Sequence, residues 1–397
     1  MLPLTTALLG DMSRETFLRD YWQKKPLLIR QAIANFQSPL SKEEVAGLAM
    51  EKMVESRLVL GTQAQQDWQV QHGPFDEHTF AQLPAKNWTL LVQAVDHYVP
   101  EVAALLDAFD FIPRWRLDDI MISYAVQGGS VGPHLDYYDV FLLQAAGSRR
   151  WQLGEFCSQT TPILADAPLR ILQDFTPVDG QDWVLHPGDL LYLPPALAHY
   201  GLALDDECMT WSVGFRAPSA EESLSGWIDY IAPQLSEDLR YTDPDLNLPQ
   251  HPAQIDDQAI TRMRTLLTQA LHSDEQTLRT WFGLTMTQTK YADQLIPAET
   301  PLTTVDVEAY LQQGGAFILA EGSRLAWVPP TSTTDGQIFV DGHVFAYPRF
   351  LQTWIESISR PPVQIENLPI DNSALTAAIA LLRDWYNQGS ILAADEF

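Results

Sequence analysis

The chain predicts a mainly β fold to which α structure is added, and three observations predict it. Within residues 1–217, short runs of β-type residues recur between Gly and Pro punctuation (Gly128-Gly129, Pro187-Gly188, Pro194-Pro195), the pattern of an all-β sandwich or barrel. After Pro218 the apolar period becomes helical, and it stays so over 218–296. From 297 to 397 helices alternate with short strands. At 397 residues the chain is long enough for two or three domains, each with its own core.

The N-terminal part reads as more helical than the strand-rich stretch after it. Candidate strands then lie at 119–126, 139–145, 149–153, 182–185, 189–193 and 208–216. Ser219 followed three residues later by Glu222 is a capping box that opens a helix, and Ser273 with Gln276 repeats the signal. Between them Ile260, Met263, Leu266, Leu267, Ala270 and Leu271 form an apolar helical stripe, suited to internal packing or to a subunit interface. The last region places strands at 316–320, 325–328, 337–340 and 344–347 among helices, a mixture similar to a winged-helix module. Proline-bearing segments near 243–252 and 296–301 read as joints.

Three residues concentrate the chemistry. His134 and Asp136 stand two apart in Gly-Pro-His-Leu-Asp, and His199 comes 63 residues after Asp136, beyond Leu-Tyr-Leu-Pro-Pro. In a strand, residues two apart share a face, so His134 and Asp136 point together into a barrel and Leu135 meets the packing layer. Two imidazoles and one carboxylate hold one face of an octahedral iron(II) and leave three positions open. Those positions accommodate a co-substrate and dioxygen together.

Composition narrows the setting. Two cysteines, Cys157 and Cys208, make no disulfide framework and suit a reducing compartment. The first 30 residues show no basic start with an apolar core, and no stretch approaches the roughly 20 apolar residues of a membrane span. A cytoplasmic location is expected. The net charge of −27 suits solubility, or a basic partner. No Walker loop, nucleophile elbow or dinucleotide fingerprint is present.

Trp22-Gln-Lys-Lys-Pro-Leu-Leu-Ile29, Gly-Pro-His134-Leu-Asp136, Gly188-Asp-Leu-Leu-Tyr-Leu-Pro-Pro195 and Ser212-Val-Gly-Phe-Arg-Ala-Pro218 together resemble the Jumonji-C (JmjC) oxygenases of the ribosomal oxygenase group. More narrowly they resemble the bacterial branch that hydroxylates an arginine of large-subunit ribosomal protein sixteen at C3. The resemblance is strong over 15–217 and looser beyond. It implies a JmjC double-stranded β-helix (cupin) over 1–217, a helical dimerisation region over 218–296 and a winged-helix domain over 297–397. It also implies iron(II), 2-oxoglutarate and dioxygen, a basic large-subunit ribosomal protein as partner, and a homodimer.

The residues agree with that chemistry. The far carboxylate of 2-oxoglutarate needs a fixed cation, and Arg149 lies 13 residues after Asp136 on the next strand candidate. The family pattern puts the role on Arg149, with Arg150 turned outward. Ser123 and Thr210 are candidate hydroxyl partners for the co-substrate. Asp119, Met121 and Ser123 alternate on one strand face, and Tyr138 comes after Asp136 on the metal side if the strand stays regular. The resemblance supports Asp119 and Tyr138 as a clamp for a substrate arginine. A histidine target, a methyl-lysine target or a non-catalytic scaffold remain alternatives. In the last region, residues 301–397 hold four Arg, no Lys and 11 Asp or Glu, so nucleic-acid binding is not expected of that module.

Overall fold

The computed structural model describes residues 8–249, 251–359, 364–365 and 371–394. The ends of the first and last predicted regions, residues 1–7 and 395–397, lie outside the described residues, as does residue 250 in the first joint.

The barrel is built from strands β1 (Leu27–Ile29), β2 (Ser56–Leu60), β3 (Gln69–His72), β4 (Trp88–Val92), β5 (Leu117–Ala125), β6 (Val140–Ala146), β7 (Arg149–Phe156), β8 (Asp182–Leu185), β9 (Leu190–Leu193), β10 (Leu197–Ala203) and β11 (Cys208–Phe215). The large sheet runs β1-β9-β6-β11-β5-β4-β2-β3 and the small one β10-β7-β8, with antiparallel pairing throughout both.

Alternation decides which side chains reach the interior. On β5, Ile120, Ile122 and Tyr124 join the core between the large sheet and the N-terminal segments, while Asp119, Met121 and Ser123 line a cavity on the other face. On β11, Met209, Trp211 and Val213 go to the core, and Thr210, Ser212 and Gly214 to the cavity. The core layer includes Phe17 of helix α1 (Arg14–Asp20), whose ring meets Tyr192 edge-on at 5.0 Å. Helices α2 (Lys42–Leu48), α3 (Glu77–Ala81) and α4 (Pro100–Ala103) complete the N-terminal part. Between the two sheets, Val140, Leu142, Trp151, Leu153, Leu185, Leu191, Leu193 and Leu197 make a second apolar layer.

Beyond the barrel come helices α5 (Ala220–Ile231), α6 (Asp257–Leu271) and α7 (Glu275–Thr287). Ser219 and Glu222 form the expected capping box. The cap of α7 differs from expectation: the N-cap is Asp274, one residue after Ser273, and its carboxylate accepts from the Thr277 N–H in place of the expected pairing of Ser273 with Gln276. Helix α7 packs on the C-terminal module at Gly283, where an added Cβ would stand 2.4 Å from the Phe339 ring, so only glycine permits this approach.

That module contains α8 (Thr304–Gln312), β12 (Phe317–Leu319), β13 (Leu325–Val328), β14 (Gly336–Val340), β15 (His343–Tyr347), α9 (Gln352–Ile358), β16 (Gln364–Ile365), α10 (Asn372–Asn387) and β17 (Ile391–Ala393). Its core gathers Trp385, Phe317, Tyr347, Trp354 and Leu382. The four expected strands are present with ends shifted by a residue or two, and β16 and β17 add to them. The N-terminal part is more helical than the stretch after it, as expected: α1–α4 stand there among β1–β4, and no helix among the described residues interrupts β5–β11. Among the described residues, no helix is long and apolar enough to cross a membrane.

Candidate active site

His134 and His199 form an isolated bridge, each N–H donating to the other's carbonyl at 2.9 Å, which adds the His134 segment to the edge of the small sheet beside β10. The rings face each other with centroids 4.2 Å apart. Strand geometry ends at His134, so the regular run expected through Asp136 and Tyr138 is replaced by a bend. Asp136 is held instead through its carbonyl, which accepts from Ala196 N at 2.6 Å. Leu135 packs against Leu172 and Ala198, as expected from the alternation.

The carboxylate Oδ2 of Asp136 lies 3.6 Å from His199 Nε2, and the three donor atoms lie within 4.8 Å of one another. His134 Nδ1 is 2.9 Å from the Gly132 carbonyl and His199 Nδ1 is 2.9 Å from the Leu197 carbonyl. A carbonyl only accepts, so each Nδ1 carries the proton and each Nε2 keeps its lone pair for a metal. Burial, and then the neighbouring His134, push the His199 imidazole down to about 4. The donor set fits a metal ion that prefers mixed nitrogen and oxygen ligands and leaves positions open.

Arg149 is 4 % exposed and faces the same cavity. Its Nε donates to Cys208 Sγ at 3.3 Å, its guanidinium lies 5.7 Å from the Trp151 ring, and its Nη2 is buried without a protein partner. A buried cation with an orphaned donor fits the far carboxylate of a dicarboxylate co-substrate. Thr89 Oγ1 on β4 is a second buried, unpartnered group lining this cavity. Sequence reasoning missed it because none of the candidate strands covered 88–92. Ser123 and Thr210 also line the cavity; their hydroxyls meet the Thr210 carbonyl at 3.3 Å and Gln144 Oε1 at 3.1 Å. Arg150 turns outward to Asp182, as expected.

The cavity, about 1770 Å³, continues past the His134–Asp136–His199 cluster to Asp119, Met121 and Tyr138, and on to Glu221 and Asp229 of α5. Met121 packs beside Val59, Trp68 and Leu91. Burial, and then the Asp136 and Asp119 carboxylates, raise the Tyr138 phenol above its ordinary range. Asp119 is 3 % exposed, and its Oδ2 accepts from Gln93 Nε2 at 2.8 Å and from Lys290 Nζ at 2.7 Å. Burial disfavours the Lys290 ammonium, but Asp119 and Asp118 outweigh it and its pKa rises. Sequence reasoning missed Lys290. It lies 171 residues from Asp119, and no local pattern marks the pair.

Residues 104–223 match the JmjC domain family, and residues 270–391 match the ROXA-like winged helix. The chain is 40% identical over 312 residues to the ribosomal protein uL16 3-hydroxylase of Escherichia coli, covering 78% of this chain and 80% of that one. The chain belongs to the JmjC ribosomal oxygenases. A probable ribosomal oxygenase of Haemophilus influenzae is 38% identical over 322 residues, covering 77% of this chain and 76% of its own. The solved structure of the E. coli ribosomal oxygenase YcfD superposes with a TM-score of 0.81 at 33% identity, over 97% of this chain and 98% of that one. A YcfD complex with cobalt and 2-oxoglutarate gives 0.80 at 32% identity, over 97% and 99%. This ribosomal oxygenase therefore has the JmjC cupin fold with helices and a C-terminal winged helix. It is a 2-oxoglutarate-dependent oxygenase that uses iron(II) and dioxygen.

Proposed function

We propose that this oxygenase hydroxylates C3 of an arginine in ribosomal protein uL16. The observation that carries the reading is that a buried carboxylate, Asp119, and the Tyr138 phenol line the cavity that holds the metal-ligand cluster. A carboxylate beside a phenol accepts and orients a guanidinium by charge-assisted hydrogen bonds. The likeness to the E. coli uL16 3-hydroxylase supports the same target.

His134 and His199 through Nε2, and Asp136 through its carboxylate, would hold iron(II). When bound, iron with 2-oxoglutarate supplies the oxidising power, converting the co-substrate and dioxygen to succinate, carbon dioxide and one oxygen atom for insertion. Arg149 grips the far carboxylate of 2-oxoglutarate, with Ser123 and Thr210 beside it and Thr89 adding a hydroxyl. Asp119 and Tyr138 hold the target guanidinium, which fixes where along the side chain the oxygen is delivered, and Met121 offers an apolar contact. The Trp151 and Leu142 side chains line the cavity and limit water there.

The domains divide the work: residues 1–217 carry the chemistry, 218–296 join two copies of the chain, and 297–397 form a winged helix. The last module has too few cations for nucleic acid and serves in protein contact or as a structural part. A protein of net charge −27 suits a basic ribosomal partner, and the work is done in the cytoplasm. The experiment is intact mass spectrometry of ribosomal proteins from cells with and without the gene. One extra oxygen on a single uL16 arginine peptide, present only with the gene, is expected; an unmodified uL16 in both strains overturns the reading.

A further inference from the structure

We propose that Lys290 is a displaceable counter-ion that fills the substrate-cation subsite of the free enzyme, so that any cation entering the subsite must first move it aside. The inference rests on the reading of Asp119 as the carboxylate that receives the target side chain.

Asp119 cannot stand alone. A carboxylate buried to this degree is costly without a partner, and its charge reaches a second buried carboxyl, Asp96, and raises its pKa. Lys290 Nζ supplies the opposite charge at 2.7 Å from Asp119 Oδ2. The same ammonium stands 3.5 Å from Oδ2 of Asp118. Arg324 Nη2 is on the other oxygen of Asp118, Oδ1, at 2.8 Å, and Arg216 Nε is 4.0 Å from it. The oxygen nearest Lys290 is therefore the one that these two arginines leave to it.

This arrangement gives the ammonium two seats. A small side-chain movement takes it from Asp119 to Asp118 without stranding a buried charge. The backbone need not move with it, because Tyr291, the next residue, is anchored by its hydroxyl to Glu55 at 2.8 Å, and Gln294 by its amide to Met53 O at 2.9 Å.

The cost of moving Lys290 is the same for every entering cation. An incoming lysine replaces one ammonium with another on Asp119. An incoming arginine brings a planar fork that meets a carboxylate through two parallel hydrogen bonds, which Lys290 cannot make. Lys290 therefore works as a built-in competitor that lowers the affinity of both cations by one factor, while the preference for arginine belongs to the fork on Asp119. It lies outside the JmjC match, in the segment after α7.

The test is equilibrium binding of two fluorescent uL16 peptides, one with the target arginine and one with lysine in its place. The full chain is loaded with manganese(II) and 2-oxoglutarate without oxygen, so turnover does not intervene. Lys290→Met is expected to tighten both peptides about tenfold and to leave the arginine-to-lysine ratio of affinities as it was. Lys290→Arg is expected to act in the opposite sense, weakening both peptides about tenfold, because a bidentate competitor now occupies Asp119. A merely structural Lys290 would show both peptides weakened in Lys290→Met and restored in Lys290→Arg, and that result overturns the inference. Unchanged affinities of both peptides in Lys290→Met also overturn it. Asp119→Asn separates the two levels: if the arginine peptide binds that variant as well as it binds the parent, the substrate reading fails and takes this inference with it. If Asp119→Asn weakens the arginine peptide while Lys290→Met leaves both affinities unaltered, the inference about Lys290 fails alone.

Discussion

Arg149 donates its Nε to the Sγ of Cys208 at 3.3 Å, and this contact fixes a guanidinium whose Nη2 is left buried and unpaired. The fork is thereby aimed before any co-substrate arrives. Arg149→Ala is expected to raise the KM for 2-oxoglutarate about 100-fold, since a bidentate charge-assisted contact is lost. Arg149→Lys keeps the charge but not the fork and is expected to raise it about tenfold. Cys208→Ala removes the orienting contact, together with the 3.6 Å contact from Gln144 Nε2 to the same sulfur, and is expected to raise KM by about threefold with kcat nearly unchanged. Succinate formation at varied 2-oxoglutarate measures all three.

Removing any of the three metal donors leaves two, which do not hold one face of an octahedral ion. His134→Ala, Asp136→Ala and His199→Ala are each expected to weaken manganese(II) or cobalt(II) binding by at least about 100-fold, beyond the effect usual for an orienting partner. Titration calorimetry of the purified chains checks this, with the melting temperature as a control for folding. A variant that binds metal like the parent would show that its side chain is not a ligand.

The features legible in the sequence were local. His134, Leu135 and Asp136 share one short segment, and strand alternation assigned their faces even though regular pairing stops at His134. Arg149 was singled out from Arg150 by the family pattern, with which strand parity agrees. The contributions of β4 and of the segment after α7 were not legible. Thr89 and Gln93 reach the cavity only because β4 pairs with β5, a long-range choice that no local pattern announces. Lys290 arrives from the far end of the helical region to meet Asp119. The stripe on α6 left two outcomes open, since periodicity marks an apolar face without saying what covers it.

Asp96 and His97 are adjacent buried groups whose titrations oppose each other. Burial, and then the Asp119 carboxylate, raise Asp96 from 3.8 to about 7. Between those values the unfolded chain is ionised while the folded one holds its proton, so Asp96 makes stability fall as pH rises through that window and level off above it. Burial, then Arg324 and Lys290, lower His97 from 6.5 to about 4, so over that interval its contribution rises with pH. Asp96→Asn keeps an acceptor for the Ile120 N–H, which Asp96 Oδ1 now accepts at 2.7 Å, and abolishes the first titration. The variant is expected to gain about 2 kcal/mol relative to the parent between pH 5 and pH 8. Urea unfolding at the two pH values measures the difference; a pH-independent difference would show that Asp96 does not titrate there.

Helix α6 contains no buried residue, and Ile260, Met263, Leu267 and Leu271 are 50, 40, 54 and 43 % exposed along one face. At 15 residues it is near the length at which a helix is marginal in water without tertiary packing. Leu224 and Ile228 on α5 add further exposed apolar surface in the same region of the chain. A stripe of this kind is stable when a second copy covers it, as in an isologous dimer where the same patch meets itself. Ile260→Glu with Leu267→Glu would bring like charges into that seam and is expected to halve the mass in solution, measured by light scattering on a sizing column. Because the barrel keeps its own core, the double variant is expected to retain metal binding while losing the dimer. A parent chain already monomeric at micromolar concentration would remove the dimer from the proposed function without touching the chemistry.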